Sequence, residues 1–228
     1  MLVDDLRFSL QRSARRKTMQ ITVERDGALV LSAPPHVTDE RLRAFVRAKR
    51  LWIYTKLAEK DRLQRTAEPR EFADGEGFLY LGRSYRLKLV EEQEVPLKLS
   101  GGRFRMRRDA LTSAREHFVN WYSQRAKDWF ADKVVEQQPR LEVFSSGVRV
   151  QDLGFRWGSC GKGDWLYFHW KAIQLPSHIA EYVVVHELAH LREQHHTPAF
   201  WTCVKRAMPD YERRKVWLAE HGVSVEGL

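Results

Sequence analysis

Residues 181–201 read EYVVVHELAHLREQHHTPAFW, and His186-Glu187-Leu188-Ala189-His190 within them is an H-E-x-x-H pattern. The apolar run Val183–Val185 gives a helix something to bury, and Ser177 stands upstream as its candidate N-cap. At about 100° per residue, His186 and His190 lie one turn and about 40° apart on one helix face. Two imidazoles so placed can reach one cation at the zinc–nitrogen distance of about 2.0–2.1 Å. Glu187 sits on the adjacent part of the helix, where its carboxylate can lie beside a reacting water instead of ligating.

A catalytic zinc needs a third protein ligand. His196 lies six residues beyond His190, about 120° off the ligand face if the helix simply continued. It can ligate only if the helix stops first. Thr197-Pro198 supplies that stop, as an N-cap followed by proline at the first position of a new helix, so the chain must break near Glu193–His195. Spacing alone leaves His195 as an immediate rival; Asp210 and Glu212 are distant third choices, by resemblance to gluzincin-type sites that take an acid from a later helix. Six of the nine histidines fall between His169 and His196, a clustering that hydrogen bonding along a helix does not explain.

Outward from this stretch, a long helical pattern begins near Leu111. Val148–Leu153 and Trp165–Trp170 read as strands around a glycine-rich turn, and Arg156-Trp157-Gly158-Ser159-Cys160 reads as a turn or a strand edge near the cleft. Earlier, Thr18–Val23 and Leu29–Ala33 read as strands joined at the Asp26-Gly27 turn. Pro34-Pro35 ends that sheet. Thr38 caps a helix expected to run through FVRAKRLWIYTKLAEKDRL, residues 45–63. FLYLGRSYRLKLV, PLKLS and RFRM are three further strand candidates. The fold class expected is α+β: a β-rich region over 1–110 with one helix, then a helix–strands–helix–helix core over 111–228, the two able to pack as one body.

At 228 residues, 43% hydrophobic and 30% charged, the chain has the balance of a globular protein. No apolar run approaches the roughly 20 residues of a membrane span. MLVDDLRFSL lacks the pattern of a secretory signal. With only Cys160 and Cys203 there is no disulfide framework, and a cytoplasmic location is expected. The net charge of +9 is partly gathered in Arg12, Arg15, Arg16 and Lys17, and in Arg103, Arg105, Arg107 and Arg108. A solvated basic face accounts for such clusters, and a nucleic-acid surface is the alternative. Cys160 and Cys203 read as small buried thiols, Phe200, Trp201 and Trp217 as packing beneath the site, and Tyr167, Tyr182 and Tyr211 as undistinguished candidates for an oxyanion donor.

RWGSCGKGDWLYFHWKAIQLP, then VVVHELAHLREQHHTPAFW and MPDYERRKVWL, resemble the YgjP-like metallopeptidase domain, a relative of the SprT-like zincins. RRKTMQITVERDGALVLSAPPHVTDERLRAFVRAKRLWI and YLGRSYRLKL resemble its first half, so the likeness spans roughly residues 10–222. It implies a zincin-like core and puts the third ligand on His196. The family usually has Asn where this chain has His195, commonly Ser at Thr197, and often Asn at His169. Neither of the first two changes removes a ligand. The resulting expectation is a metallopeptidase holding one zinc per chain through His186, His190 and His196, with Glu187 as general base and a protein or peptide as substrate. A DNA-associated protease recruited through a basic surface, and a metal hydrolase acting on a non-peptide substrate, are the alternatives.

Overall fold

A computed structural model describes residues 1–23, 27–54, 56–57, 70–154 and 156–225. The chain divides into two compact units, Met1–Glu68 and Pro69–Leu228.

In the first unit, β1 (Leu2–Val3), β2 (Leu6–Arg12), β3 (Gln20–Val23) and β4 (Leu29–Ala33) form a sheet of order β1-β2-β4-β3. Strands β3 and β4 pair antiparallel, as the turn signal required, while β2 and β4 run parallel. Asp26 of that turn lies outside the described residues. Sequence reading left β2 unassigned, although Leu6 and Phe8 alternate with exposed Arg7 and Ser9 in the period of a half-buried strand. Helix α1 (Asp39–Ala48) starts where expected, with Thr38 Oγ1 accepting from the Arg41 N–H at 3.4 Å. It buries Leu42 and Val46 in the core of Phe8, Leu29 and Leu31. The expected continuous helix is interrupted at Lys49; residues 50–54 are helical again, and the stretch from 58 to 63 lies outside the described residues.

The second unit opens with β5 (Gly77–Tyr80), β6 (Arg83–Val90), β7 (Leu97–Ser100) and β8 (Arg103–Arg107), in the order β5-β6-β8-β7. FLYLGRSYRLKLV is therefore two strands, reversed at Leu81-Gly82, both with positive φ. Helix α2 (Ala114–Leu141) lies against this sheet: Phe78 and Phe118 stack at 4.1 Å, and the Tyr122 hydroxyl donates to the Leu79 carbonyl at 2.7 Å. The expected boundary near residue 110 thus falls inside one core, which Phe78, Leu87, Phe104, Phe118 and Tyr122 share. The units part at Glu68–Pro69 instead. Strand runs alone concealed this, because the second sheet buries its apolar side on a helix that follows it in the chain.

The remaining elements are β9 (Gly147–Gln151), β10 (Gly158–Cys160), β11 (Trp165–His169), α3 (Ser177–Ala189), α4 (Pro198–Ala207) and α5 (Tyr211–His221). The three strands form a sheet of order β10-β11-β9, with β10 antiparallel at one edge. Nine of the thirteen residues of α3 are buried, so it runs through the middle of the unit with no solvent face to speak of. Its N-cap is Pro176, without a side-chain cap bond, and not the expected Ser177, which is the first helical residue. The backbone before it is anchored from the β5–β6 turn, where Leu81 and Gly82 N–H groups donate to the carbonyls of Ile173 and Gln174 at 2.8 and 3.1 Å. At Gly82 (φ +77°) an added Cβ would stand 2.7 Å from Pro176 Cα. Glu181 ties α3 sideways, to Lys133 of α2 at 3.2 Å and to Arg214 of α5 at 3.6 Å.

Candidate metal centre and cleft

Helix α3 delivers His186 and His190 from one face, as their spacing requires, and ends at Ala189. The chain then reverses. Thr197 Oγ1 accepts from the Phe200 N–H at 3.3 Å and opens α4, with Pro198 in its first turn. This reversal brings His196 back: one nitrogen from each of His186, His190 and His196 lies within 4.8 Å of the others. His195, Asp210 and Glu212 are not part of the group. Asp210 faces Arg214 at 2.9 Å, and Glu212 accepts from the Tyr211 hydroxyl. Phe200, fully buried, floors the three imidazoles with ring centroids at 5.1, 4.6 and 4.7 Å, while Trp201 stacks on His196.

Burial of the three rings favours neutral nitrogen donors, against the raising effect of the Glu193 and Gln194 carbonyls at His190. Burial, and then the neighbouring His190 and His196, push the His186 pKa down to about 3. Burial also lowers His190 and His196, with neighbouring imidazoles and Lys215 contributing at His196. His190 Nδ1 sits 3.1 Å from the Glu193 carbonyl; as an N–H it donates there and leaves Nε2 as the lone pair. Nε2 of His186 and of His196 face each other at 3.0 Å, and His186 Nδ1 is buried with no partner among the described residues. Three uncharged imidazoles converging in an apolar seat are costly as a purely structural device, and they match the N-donor preference of a borderline cation such as zinc.

Glu187 points the other way, toward β10. Hydrogen bonds from the His169 N–H to the Trp157 carbonyl (2.9 Å) and from the Gly161 N–H to the Trp165 carbonyl (2.8 Å) fix the register of β10 on β11. The alternate residues Gly158 and Cys160 therefore turn their main-chain groups to the free edge. The Cys160 N–H reaches the Glu187 carboxyl. Gly158 leaves room for it, since an added Cβ would meet Glu187 Cγ and Oε1 at 2.7 Å. Burial raises the Glu187 pKa to about 8, against the lowering effect of the Cys160 N–H and Arg156. The requirement for glycine in the WGSC run was visible as a motif, but its partner was not.

These groups open on a cleft of about 960 Å³ between β10 and α3. The histidine triad and Glu187 line it, with Arg156 and Lys162 on one side and Tyr182, Val183 and Leu218 on the other. Of the three tyrosines considered, Tyr182 lines the cleft; Tyr167 packs against Gly161, and Tyr211 stacks on Trp201. Burial raises the Tyr182 pKa to about 12, so its hydroxyl keeps its proton. Cys160 lines the cleft half-buried, and is not the enclosed thiol expected; Cys203 is half-buried too, and both are free thiols. His169 is buried away from the triad, its Nε2 3.3 Å from Asp152 and its Nδ1 accepting from the Lys171 N–H.

The model of the YgjP-like metallopeptidase domain matches residues 17–221 of the 228. The chain belongs to the YgjP-like metallopeptidase family. No curated protein and no solved structure matches it. Membership in a YgjP-like metallopeptidase family makes the chain a metal-dependent hydrolase of peptide bonds, with proteins or peptides as substrates. No helix among the described residues is long and apolar enough to cross a membrane.

Proposed function

We propose that the chain is a zinc peptidase with a zincin-like core, in which His186, His190 and His196 hold one ion and Glu187 is the general base. The observation that carries this reading is the opposed placement of two sets of groups along one cleft. Three neutral imidazole nitrogens lie within 4.8 Å of one another, and a buried carboxyl lining the same cleft leans on a strand edge. A zinc ion held there would supply Lewis acidity to the scissile carbonyl and to the attacking water. Glu187 accepts the water proton on its carboxylate and returns it to the leaving amine. A cation at the triad favours the ionised carboxylate that this step needs. The Cys160 N–H stabilises the carboxylate, and burial of Glu187 keeps bulk water from it.

The free edge of β10 favours a peptide over other hydrolysable substrates. Its outward main-chain groups at Gly158, and the Cys160 carbonyl, can pair with an extended segment laid along the cleft. Of the three tyrosines, Tyr182 is the candidate proton donor to the developing oxyanion, since it lines the cleft. The two free thiols support a cytoplasmic setting. The experiment is zinc content together with cleavage of an unstructured protein such as casein, in wild type and Glu187→Gln. About one zinc in both proteins, with cleavage in wild type alone, supports the reading; a fully active Glu187→Gln overturns it.

A further inference from the structure

The sheet β5-β6-β8-β7 covers α2 with one face and turns the other to solvent. On the outer face Arg86 lies directly opposite Arg103, and Lys88 opposite Arg105, whose other neighbour is Lys98. Leu87, Phe104 and Met106 alternate with them into the core, so the cations are held outward by the pleat itself. Like charges directly opposite on adjacent strands destabilise a sheet. This grid repeats the arrangement on neighbouring strands, so the fold does not account for it.

Ion-pair partners separate this grid from the rest of the basic run. Arg107 binds Asp109 at 2.9 Å and Arg108 binds Glu91 at 2.7 Å, so both are engaged within the chain. Arg12, from the other basic cluster, holds Asp39 and the carbonyls of Pro35 and Val37. Arg103, Arg105 and Lys98 have no ion pair among the described residues, Arg86 donates only to the Gly75 carbonyl, and Lys88 meets Asp74 at a long 3.9 Å.

We infer that this face is a docking surface for an acidic, extended segment of a protein substrate, and the inference rests on the peptidase reading only for the word substrate. Cations at Arg103 and Arg105 are spaced by two strand residues, roughly 6.4–6.8 Å. Acidic side chains at alternate positions of an extended peptide repeat at the same distance. Guanidinium groups suit carboxylates, which they grip through two parallel hydrogen bonds. No aromatic ring stands among the grid positions to stack a base, which single-stranded nucleic acid would use. The face belongs to the same compact unit as the cleft.

The test is binding, independent of catalysis. A fluorescein-labelled peptide of alternating Glu and Thr, twelve residues long, is titrated with the full chain by anisotropy at two salt concentrations. Wild type binds, several-fold more weakly at 300 mM than at 50 mM salt, and more tightly than to a peptide of the same composition with all Glu at one end. The Arg103→Glu/Arg105→Glu variant loses at least tenfold in affinity while its melting temperature holds or rises, since a like-charge cluster has been relieved. Arg103→Ser/Arg105→Ser gives an intermediate loss. Equal affinity of wild type and both variants overturns the inference. So does a DNA duplex that binds more tightly than the peptide and is released by the same substitutions, which assigns the face to phosphate. Failure of zinc binding or of casein cleavage would sink the peptidase reading and leave these titrations unaffected.

Discussion

The Glu187 carboxyl rests on Gly158, 2.7 Å from where a Cβ would be. The absence of a side chain on the strand is what lets the carboxyl lie against the edge, in the cleft that the triad also lines. Gly158→Ala should therefore displace Glu187 without touching a metal ligand. Zinc content stays at that of wild type, casein cleavage falls at least tenfold, and stability drops by about 1–3 kcal/mol as in other overpacked sites. Elemental analysis beside the cleavage assay checks this; unchanged activity would mean that Glu187 acts from another position.

Alanine at His186, His190 or His196 should abolish stoichiometric zinc, whereas His195→Ala should keep it. The geometry excludes His195 from the three-nitrogen group although it is the next residue in the chain. Metal content of the four variants after dialysis against trace zinc decides the matter, and zinc retained by His196→Ala would return the third position to a rival.

In the metal-free protein, Glu187 should be a source of instability at neutral and higher pH. Its folded pKa is about 8 against an ordinary 4.5, so the fold retains a proton that the unfolded chain gives up. Stability contributed by that proton is complete below about pH 4.5 and is lost as pH rises through 8. Glu187→Gln removes the titration, so its chelator-treated form should melt above wild type at pH 8, by the equivalent of about 1–3 kcal/mol, and converge with it near pH 4.5. Thermal melts across pH in excess chelator would expose the opposite ordering if the carboxyl were ionised in the fold.

The histidines act at the other end of the scale. His186 titrates near 3 in the fold and near 6.5 unfolded, so between those values the unfolded chain binds a proton that the native one refuses. Metal-free stability should thus decline as pH falls below 6.5. Because this limb is independent of Glu187, it should persist in Glu187→Gln and shrink in His186→Gln. A melt series in which His186→Gln is as acid-sensitive as Glu187→Gln would contradict it.

Thr197→Ala removes the hydroxyl that opens α4 one residue after His196. A lost cap costs about 1 kcal/mol of stability. Here the loosened turn should also weaken zinc affinity, by threefold or more in a competitive chelator titration. A stability loss with affinity unchanged would show that Phe200 beneath the rings suffices to hold His196.

Local signals in the sequence carried the three-histidine group and little of its surroundings. The spacing of His186 and His190 follows from helical geometry, and Thr197-Pro198 announced the reversal that returns His196. Spacing could not choose between His195 and His196, because one residue of loop conformation decides it. Gly158 is open in the sequence to a turn or a strand edge, since nothing in a linear string says that position 187 will lie over position 158. The boundary near residue 110 was misplaced for the same reason: Phe78 and Phe118 carry no mark of belonging together. Strand β2 is legible in the alternation of Leu6 and Phe8 with Arg7 and Ser9, which is too short a run to declare its parallel partner β4.

Gly82, at the tip of the β5–β6 hairpin, presses on Pro176 at the foot of the helix that bears both HExxH histidines. Any larger residue there would have to shift either the hairpin or that helix start. A screen for loss of proteolysis would then recover a surface-turn change more than a hundred positions upstream of the motif and score it beside the ligands themselves. Its second-site suppressors should cluster along the 3₁₀ turn Trp170–Gln174, and not in the cleft.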